Sequence, residues 1–370
     1  MRLRRFETRG FRNLAPQTLT VPGGVIAVIG DNGVGKTNLL EAITVFGNLQ
    51  SFRPGAPTNW VRHGSGDFVL AGTVDRDGSE VELRQEARVG RAVHRRLWRG
   101  ARRLGSAEFL DLFPVAALSS HDRQIVWGGP DERRKLLDRM AFYAQPASLG
   151  ILQRYRRALR QRNALLTGGG RPEAFEAFEA DLSALGARVV EARLGAVAEL
   201  ERSLESELRG LGWSLARPNL RYHCPDGLAP ADPATLAARL RAEYARRRRE
   251  EKARGHTMVG PHRHDLALTV TGSPAREVLS AGQGKLMATA FRLAAVALFE
   301  RARGRMPLVV FDDVDAEFDA GVLDRVFARL GRARQCFVSS AHEQMVLGRV
   351  PVAEVWRIAD GRVVTAARGE

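Results

Sequence analysis

Two short stretches of this chain have the residue types and spacing needed to hold a nucleoside triphosphate. Gly30-Asp31-Asn32-Gly33-Val34-Gly35-Lys36-Thr37 follows the pattern G-x-x-x-x-G-K-[ST], between the apolar run Val25–Ile29 and a helical pattern at Asn38–Phe46. A strand, a glycine-rich turn and a helix start, in that order, aim backbone N–H groups at phosphate oxygens. Gly33 and Gly35 let the backbone come close. Lys36 supplies an ammonium for the β- and γ-phosphates of ATP, and the Thr37 hydroxyl supplies a ligand for Mg²⁺. The second stretch, Leu308-Val309-Val310-Phe311-Asp312-Asp313, reads as a buried strand that delivers two carboxylates at its tip. Asp312 is expected to hold Mg²⁺, and Asp313 to orient or deprotonate an attacking water.

A third stretch, Leu279-Ser280-Ala281-Gly282-Gln283, precedes a helical pattern from about Gly284 to Arg301. A serine hydroxyl, a flexible glycine and a helix N-terminus make a second clamp for phosphate.

Positioning these groups requires a split domain. The first hundred residues read as strands and turns, with β-like runs at Leu19–Val21, Val25–Ile29, Phe68–Val74 and Val81–Leu83. From Asp131 the apolar spacing turns helical. Leu149, Leu152, Tyr155 and Leu159 recur at threes and fours. Phe175, Phe178, Leu182, Leu185 and Val189, continued by Leu200, Leu204, Leu208 and Leu211, predict one helix of about 40 residues, about 60 Å long. A further helix is expected over Pro233–Arg254. Strand-like runs return at Leu266–Val270, Leu308–Phe311, Cys336–Ser339 and Val352–Ile358. The fold class is therefore α/β. Both chain ends, 1–125 and 255–370, are expected to build one head around a mainly helical insertion at 126–254.

Composition narrows the partners. The 370 residues carry 57 Lys and Arg against 42 Asp and Glu, a net charge of +15. A surplus of this size points to a polyanion such as nucleic acid. The run Arg246–Arg249 and the arginines between Arg95 and Arg103 are the basic clusters, although a run on a helix also reads as a solvated face. The two cysteines, Cys224 and Cys336, lie far apart without a CxxC or Cys/His spacing, which argues against a disulfide scaffold or a structural zinc and fits a reducing cytosol. No stretch approaches the length of an apolar membrane span. A cytoplasmic, nucleoid-associated protein is expected.

The order of phosphate loop, long insertion, small-residue clamp and acidic strand resembles the ABC ATPase superfamily. Leu279–Gln283 is similar to its LSGGQ signature, with Ala281 in place of one glycine, and Asp315-Ala316-Glu317-Phe318-Asp319 stands where its D-loop lies. Four further segments resemble the RecF family of bacterial recombination-repair ATPases over nearly the whole chain. These are Phe11-Arg12-Asn13-Leu14 and Lys36–Ile43; Gly128-Gly129-Pro130 with Arg133-Arg134 and Leu137-Asp138; Tyr155, Leu159, Gln161-Arg162-Asn163 and Leu165-Leu166; and Gly260-Pro261-His262-Arg263.

That resemblance implies nucleotide contacts at Gly30–Thr37, Asn38, Arg12 and Asn13, with Lys36 and Asp313 catalytic and Thr37 and Asp312 on Mg²⁺. It implies a trans contact from Ser280, Gly282 and Gln283 to nucleotide on a second copy, with Asp319 at the seam. It further implies weak, DNA-stimulated ATPase activity and an ATP-dependent homodimer on gapped or single-strand/duplex junction DNA, working with RecO and RecR to promote RecA loading. Gln124 and His342 stand near the superfamily's Q-loop and γ-phosphate-sensing positions. Three departures are visible: His264 stands before Asp265 where the family has two aspartates, Gln124 has ill-matched surroundings, and the family more often shows a threonine-rich segment near His342. A transporter subunit would have a much shorter segment between loop and signature, and a chromosome-organising protein would have hundreds more coiled-coil residues.

Overall fold

The computed structural model describes residues 1–90, 93–169, 172–314, 318–331 and 333–368. The chain divides into two compact units. One takes Met1–Arg123, Glu207–Trp213 and Ala281–Glu370, and the other takes Gln124–Ser206 and Ser214–Ser280.

In chain order, the first unit begins with β1 (Arg2–Arg9), β2 (Gln17–Thr20), β3 (Gly24–Ile29), α1 (Lys36–Asn48), β4 (Asp67–Arg76), β5 (Ser79–Val89), β6 (Val93–Arg99), β7 (Arg102–Arg103), α2 (Ser106–Leu112) and β8 (Val115–Leu118). The second unit holds α3 (Gln124–Trp127), α4 (Pro130–Ala144), α5 (Ala147–Gly168), most of α6 (Pro172–Gly210), β9 (Asn219–His223), α7 (Pro233–Arg254), β10 (Asp265–Val270), β11 (Ser273–Pro274) and α8 (Ala275–Val278). The chain then returns to the first unit with α9 (Ala281–Arg303), β12 (Leu308–Phe311), α10 (Ala320–Leu330), β13 (Gln335–Ser340), β14 (Val352–Ala359) and β15 (Arg362–Arg368).

Two six-stranded sheets make the first unit. One is antiparallel in the order β2-β1-β4-β5-β6-β7. The other runs β15-β14-β3-β13-β12-β8, parallel except for β15. β3 and β12 read as unbroken apolar runs because parallel strands are covered on both faces; Ile26, Ala27, Val28, Leu308, Val309 and Val310 are fully buried. Gln335 ties the two sheets together. Its side-chain oxygen accepts from Leu3 N at 2.7 Å and its amide donates to Leu3 O at 2.9 Å. Strands placed at opposite ends of the sequence thus share one core.

The second unit is helical with a small sheet, β11-β10-β9. Its long helix spans 39 residues. The sequence reading places β10 with the head and has no strand at Asn219–His223. In the structure β10 pairs antiparallel with β9, from Asp265 opposite His223 to Thr269 opposite Asn219. The expected boundary at 254/255 therefore falls inside this unit. Alternation at Leu220 and Tyr222 was the available signal, but two apolar residues are too few to announce a strand.

A buried charge cluster joins three helices of this unit. Arg162 on α5 is fully buried; its guanidinium donates to Glu179 on α6 at 2.9 and 3.2 Å and to Thr257 Oγ1 at 2.8 Å, and it lies 2.7 Å from Glu251 on α7. Tyr244 covers its face at 4.8 Å. Arg248 supplies a second cation to Glu179 at 2.6 Å. Asn163 Oδ1 accepts from Thr257 N and Oγ1. The Gln161-Arg162-Asn163 segment is thus a connector between helices. Arg162→Leu strips the buried Glu251 of its cation and is expected to cost about 3–5 kcal/mol. Urea unfolding measures this; a loss below about 1 kcal/mol would show that the cluster contributes little. Arg162→Lys should recover only part, since a compact ammonium has three donors where the planar guanidinium spreads five over Glu179, Glu251, Thr257 and Tyr244 O.

Gly260 explains another of the quoted segments. Its φ is +120°, and a Cβ there would stand 3.0 Å from the hydroxyls of both Tyr155 and Tyr244. His262 is held neutral: burial pushes its pKa down to about 4, Tyr155 donates to Nδ1 at 2.7 Å, and Nε2–H donates to Thr257 O at 3.0 Å.

Candidate nucleotide site

The loop Gly30–Gly35 leaves the tip of β3 and α1 starts at Lys36, so the first-turn N–H groups face the loop's concavity. Gly35 has φ +121°, and a Cβ would lie 3.2 Å from Gly361 Cα. The β14–β15 turn backs the loop here, with Gly361 N donating to Val34 O at 2.9 Å. Lys36 is buried, and its ammonium donates across the loop to Gly30 O at 2.6 Å and Asp31 O at 3.0 Å. The charge is therefore fixed by its own loop and points at the phosphate-binding concavity.

Three strand tips bring the acidic pair to the same place. The Thr37 hydroxyl donates to Asp312 Oδ1 at 3.1 Å, and Ser339 Oγ, at the end of β13, donates to the same oxygen at 2.7 Å. Ser339 Oγ in turn accepts from Asp313 N at 2.8 Å. Asp312 is buried, and burial pushes its carboxyl up to about 6; the Ser339 and Thr37 hydroxyls pull it down and the Asp313 charge pushes it up. A divalent cation beside it offsets that desolvation. The donors suit Mg²⁺: adjacent ligands of an octahedral ion at about 2.1 Å lie about 3.0 Å apart, close to the Thr37–Asp312 separation. Asp313 has φ +57°, a left-handed conformation that Asp and Asn tolerate better than other side chains. The chain turns off the strand there, and both aspartates line the same cleft.

These groups line a cleft of about 380 Å³ with Asn32, Gly33, Gly35, Asn38, Phe52, Arg53 and Ser119–His121. It sits outside the carboxyl ends of parallel strands, where open α/β sheets bind ligands. Behind the cleft, fully buried Glu41 takes a two-pronged contact from Arg12, at 2.8 and 3.0 Å, and a hydrogen bond from Ser51 Oγ at 2.6 Å. Arg53 donates to Asn38 Oδ1 at 2.8 Å, and Asn38 donates to Asn13 Oδ1 at 2.7 Å.

The expected residues thus separate into groups. Asn32, Gly33, Gly35–Asn38, Asp312 and Asp313 line the cleft; Gly30 and Asp31 hold Lys36; Val34 and Asn13 pack behind the loop; Arg12 turns onto Glu41 and does not line the cleft. Gln124 starts α3, its side chain lying against Gly128, and the cleft wall after β8 comes instead from Ser119–His121. His342 is exposed, and its backbone turns on Ser340, whose Oγ accepts from His342 N at 2.9 Å. Neither Gln124 nor His342 lines the cleft among the described residues. α9 begins at Ala281, three residues earlier than expected, so Gly282 and Gln283 belong to its first turn; Ser280 and Gly282 are exposed. Asp319 caps α10, accepting from Val322 N at 2.9 Å. The segment 315–317 lies outside the described residues.

Sequence reading missed Ser339, Arg53 and Glu41. Ser339 needs the strand order to be found, because β13 lies between β3 and β12 in the sheet but after both in the chain. Arg53 follows α1 in an irregular segment with no pattern of its own. Glu41 sits on the buried face of α1, where an acid is unusual enough to have been a signal.

Fold and site together define a P-loop ATPase head of the kind shared by ABC and SMC proteins. The chain belongs to the RecF/RecN/SMC N terminal domain family, which it matches over residues 2–361, and among its members to RecF. It is 34% identical to the DNA replication and repair protein RecF of Myxococcus xanthus, covering 86% of this chain and 85% of that protein. It is 30% identical to RecF of a Synechococcus strain, covering 100% and 99%. Among solved structures, the recombination mediator protein RecF with ATP in the RecFOR pathway superposes with a TM-score of 0.88 at 25% identity, covering 99% of both chains. An Smc head bound to the C-winged helix domain of ScpA shares the fold, with a TM-score of 0.56 at 15% identity.

Proposed function

We propose that this chain is a slow, DNA-stimulated ATPase that pairs on Mg·ATP, binds DNA and acts in recombinational repair. The reading is carried by the convergence of Lys36, Thr37, Asp312 and Asp313 on one cleft, with buried Ser339 tying the two aspartates together. The RecF structure determined with ATP supports ATP as the nucleotide. Lys36 and the loop N–H groups bind the phosphates. Thr37 and Asp312 would hold Mg²⁺, which neutralises charge on the β- and γ-phosphates. Asp313 positions the attacking water. A lone head leaves the γ-phosphate side open to solvent; Ser280, Gly282 and Gln283 of a second copy close it and supply hydrogen bonds that the monomer lacks. Asp319, at the start of α10, organises the seam.

By likeness to RecF, the partners are RecO and RecR, the DNA is a single-stranded gap or a junction with duplex, and the output is RecA loading in the cytoplasm. Among the described residues no helix is long and apolar enough to cross a membrane. DNA is bound through arginines that structure has not already engaged. Arg246 and Arg247 pair with Glu243, and Arg248 with Glu179. Arg95 donates to Leu49 O and stacks on Trp60. Arg96, Arg99 and Arg103, exposed on β6 and β7, are better placed.

Anisotropy of a labelled gapped duplex tests the reading. Wild type should bind much more tightly with Mg·ATP than without nucleotide, and log affinity should fall linearly with log salt at about −0.9 per phosphate contacted. Lys36→Met should show the weak binding alone, with or without ATP. Equal ATP response in both proteins would remove the cleft from the function.

A further inference from the structure

The sequence spacing gives no metal site, yet the second unit brings a cysteine and a histidine 40 residues apart into register. Asp265 lies opposite His223 in the β9–β10 ladder, so His264 stands opposite Cys224 one step beyond it. Cross-strand partners share a face, and Tyr222, two residues before Cys224, shares it too. Cys224 Sγ is 3.6 Å and the Tyr222 hydroxyl 3.2 Å from His264 Nδ1. The other ring nitrogen, Nε2, is 2.9 Å from Asp226 Oδ2. Asp226 is itself fixed, accepting from Gly260 N at 2.9 Å and from Leu228 N at 3.2 Å. His264 is fully buried, whereas Cys224 is half-buried.

This arrangement sets the tautomer. A carboxylate on Nε2 makes that nitrogen the N–H donor and leaves a lone pair on Nδ1, facing a thiol. In zinc sites a ligating histidine very often donates its second N–H to a carboxylate in this way. With Zn–S about 2.3 Å and Zn–N about 2.0–2.1 Å, tetrahedral geometry places sulfur and nitrogen roughly 3.5–3.6 Å apart, matching the observed separation.

We propose that Cys224 and His264 Nδ1 bind a zinc-class divalent cation, with Asp226 orienting the imidazole. Asp226 is assigned to the imidazole because its Oδ2 bonds Nε2 at 2.9 Å, although its carboxylate also lies within 4.8 Å of the thiol. The buried Tyr222 hydroxyl, which Arg193 also engages, lies beside Nδ1, and water would fill the remaining positions. Binding converts the thiol to a metal thiolate and releases one proton to water; the Tyr222–Nδ1 hydrogen bond is given up. Because the thiol must lose its proton to bind, affinity climbs as pH rises. The ion staples the open end of the β9–β10 pair to the 260–264 segment. Cys336 is a built-in control, being fully buried with no such neighbours among the described residues.

Full-length protein, stripped with chelator and dialysed, is titrated with Co²⁺. Wild type should develop the near-ultraviolet thiolate-to-cobalt absorption, saturating at one ion per chain and displaced by Zn²⁺. Cys224→Ser and His264→Gln should lose the band. Asp226→Asn should keep it with affinity lowered about 10–100-fold. Zn²⁺ should raise the Tm of wild type and leave that of Cys224→Ser unchanged, with the metal-free Tm of each variant checking that it folds. The proposal is overturned if folded wild type gives no band, or if the band survives in Cys224→Ser.

Discussion

Asp313→Asn should bind Mg·ATP with nearly wild-type affinity and hydrolyse it at least about 100-fold more slowly, the loss expected when a positioned general base is removed. The substitution suits the site for a structural reason. Asp313 adopts φ +57°, which asparagine also tolerates, and its backbone N–H bonds Ser339 Oγ, which side-chain chemistry does not touch. The turn should therefore survive while the carboxylate is lost. Asp312→Asn should behave differently. That carboxylate collects the Thr37 and Ser339 hydroxyls on one oxygen, and its replacement removes the charge that a cation would meet, so Mg²⁺ affinity falls together with turnover. Single-turnover hydrolysis and nucleotide affinity, measured on both variants over a Mg²⁺ titration, separate the two roles. If Asp313→Asn turns over at the wild-type rate, another group positions the water, and Ser120 and His121 line the same cleft.

How much of this was legible in the sequence depended on distance along the chain. Gly30–Thr37 is contiguous, flanked by a strand and a helix, and each residue's task follows from its type. Asp312 and Asp313 are contiguous as well, at the end of an apolar run. Pairing the two stretches required the resemblance, because nothing in either says that β3 and β12 lie on either side of β13. Ser339 was invisible for the same reason: it matters only because β13 ends beside β12. Long helices were readable from apolar spacing, and α7 was expected with the bounds it has. The small sheet of the second unit was not, since β9 offers only Leu220 and Tyr222 as an alternating pair. The net charge was legible as a total but not as a surface. Three of the four arginines in Arg246–Arg249 are engaged by Glu243 and Glu179, one of them from a different helix.

The dimer carries the largest consequence, and Ser280 tests it. Ser280 and Gly282 are exposed at the start of α9, where a helix N-terminus and a hydroxyl can meet an anion from outside, whereas Lys36 is buried against its own loop. Ser280→Arg should leave ATP binding by the isolated head intact, because none of the cleft's lining changes. It should abolish ATP-induced pairing in sedimentation, since a long cation fills the space the partner's γ-phosphate needs and must be desolvated at the seam. Turnover should fall with pairing, to the slow rate of a solitary head. Mixing Ser280→Arg with Lys36→Met sharpens the outcome. In the mixed dimer one composite site holds both lesions, and the other joins an intact Lys36 to an intact Ser280, so part of the lost hydrolysis should return although neither variant alone exceeds the slow rate of a solitary head. Recovery on mixing requires that each site draw residues from two chains. If Ser280→Arg pairs normally with ATP, the segment Leu279–Gln283 is only the beginning of a helix, and hydrolysis belongs to the single head.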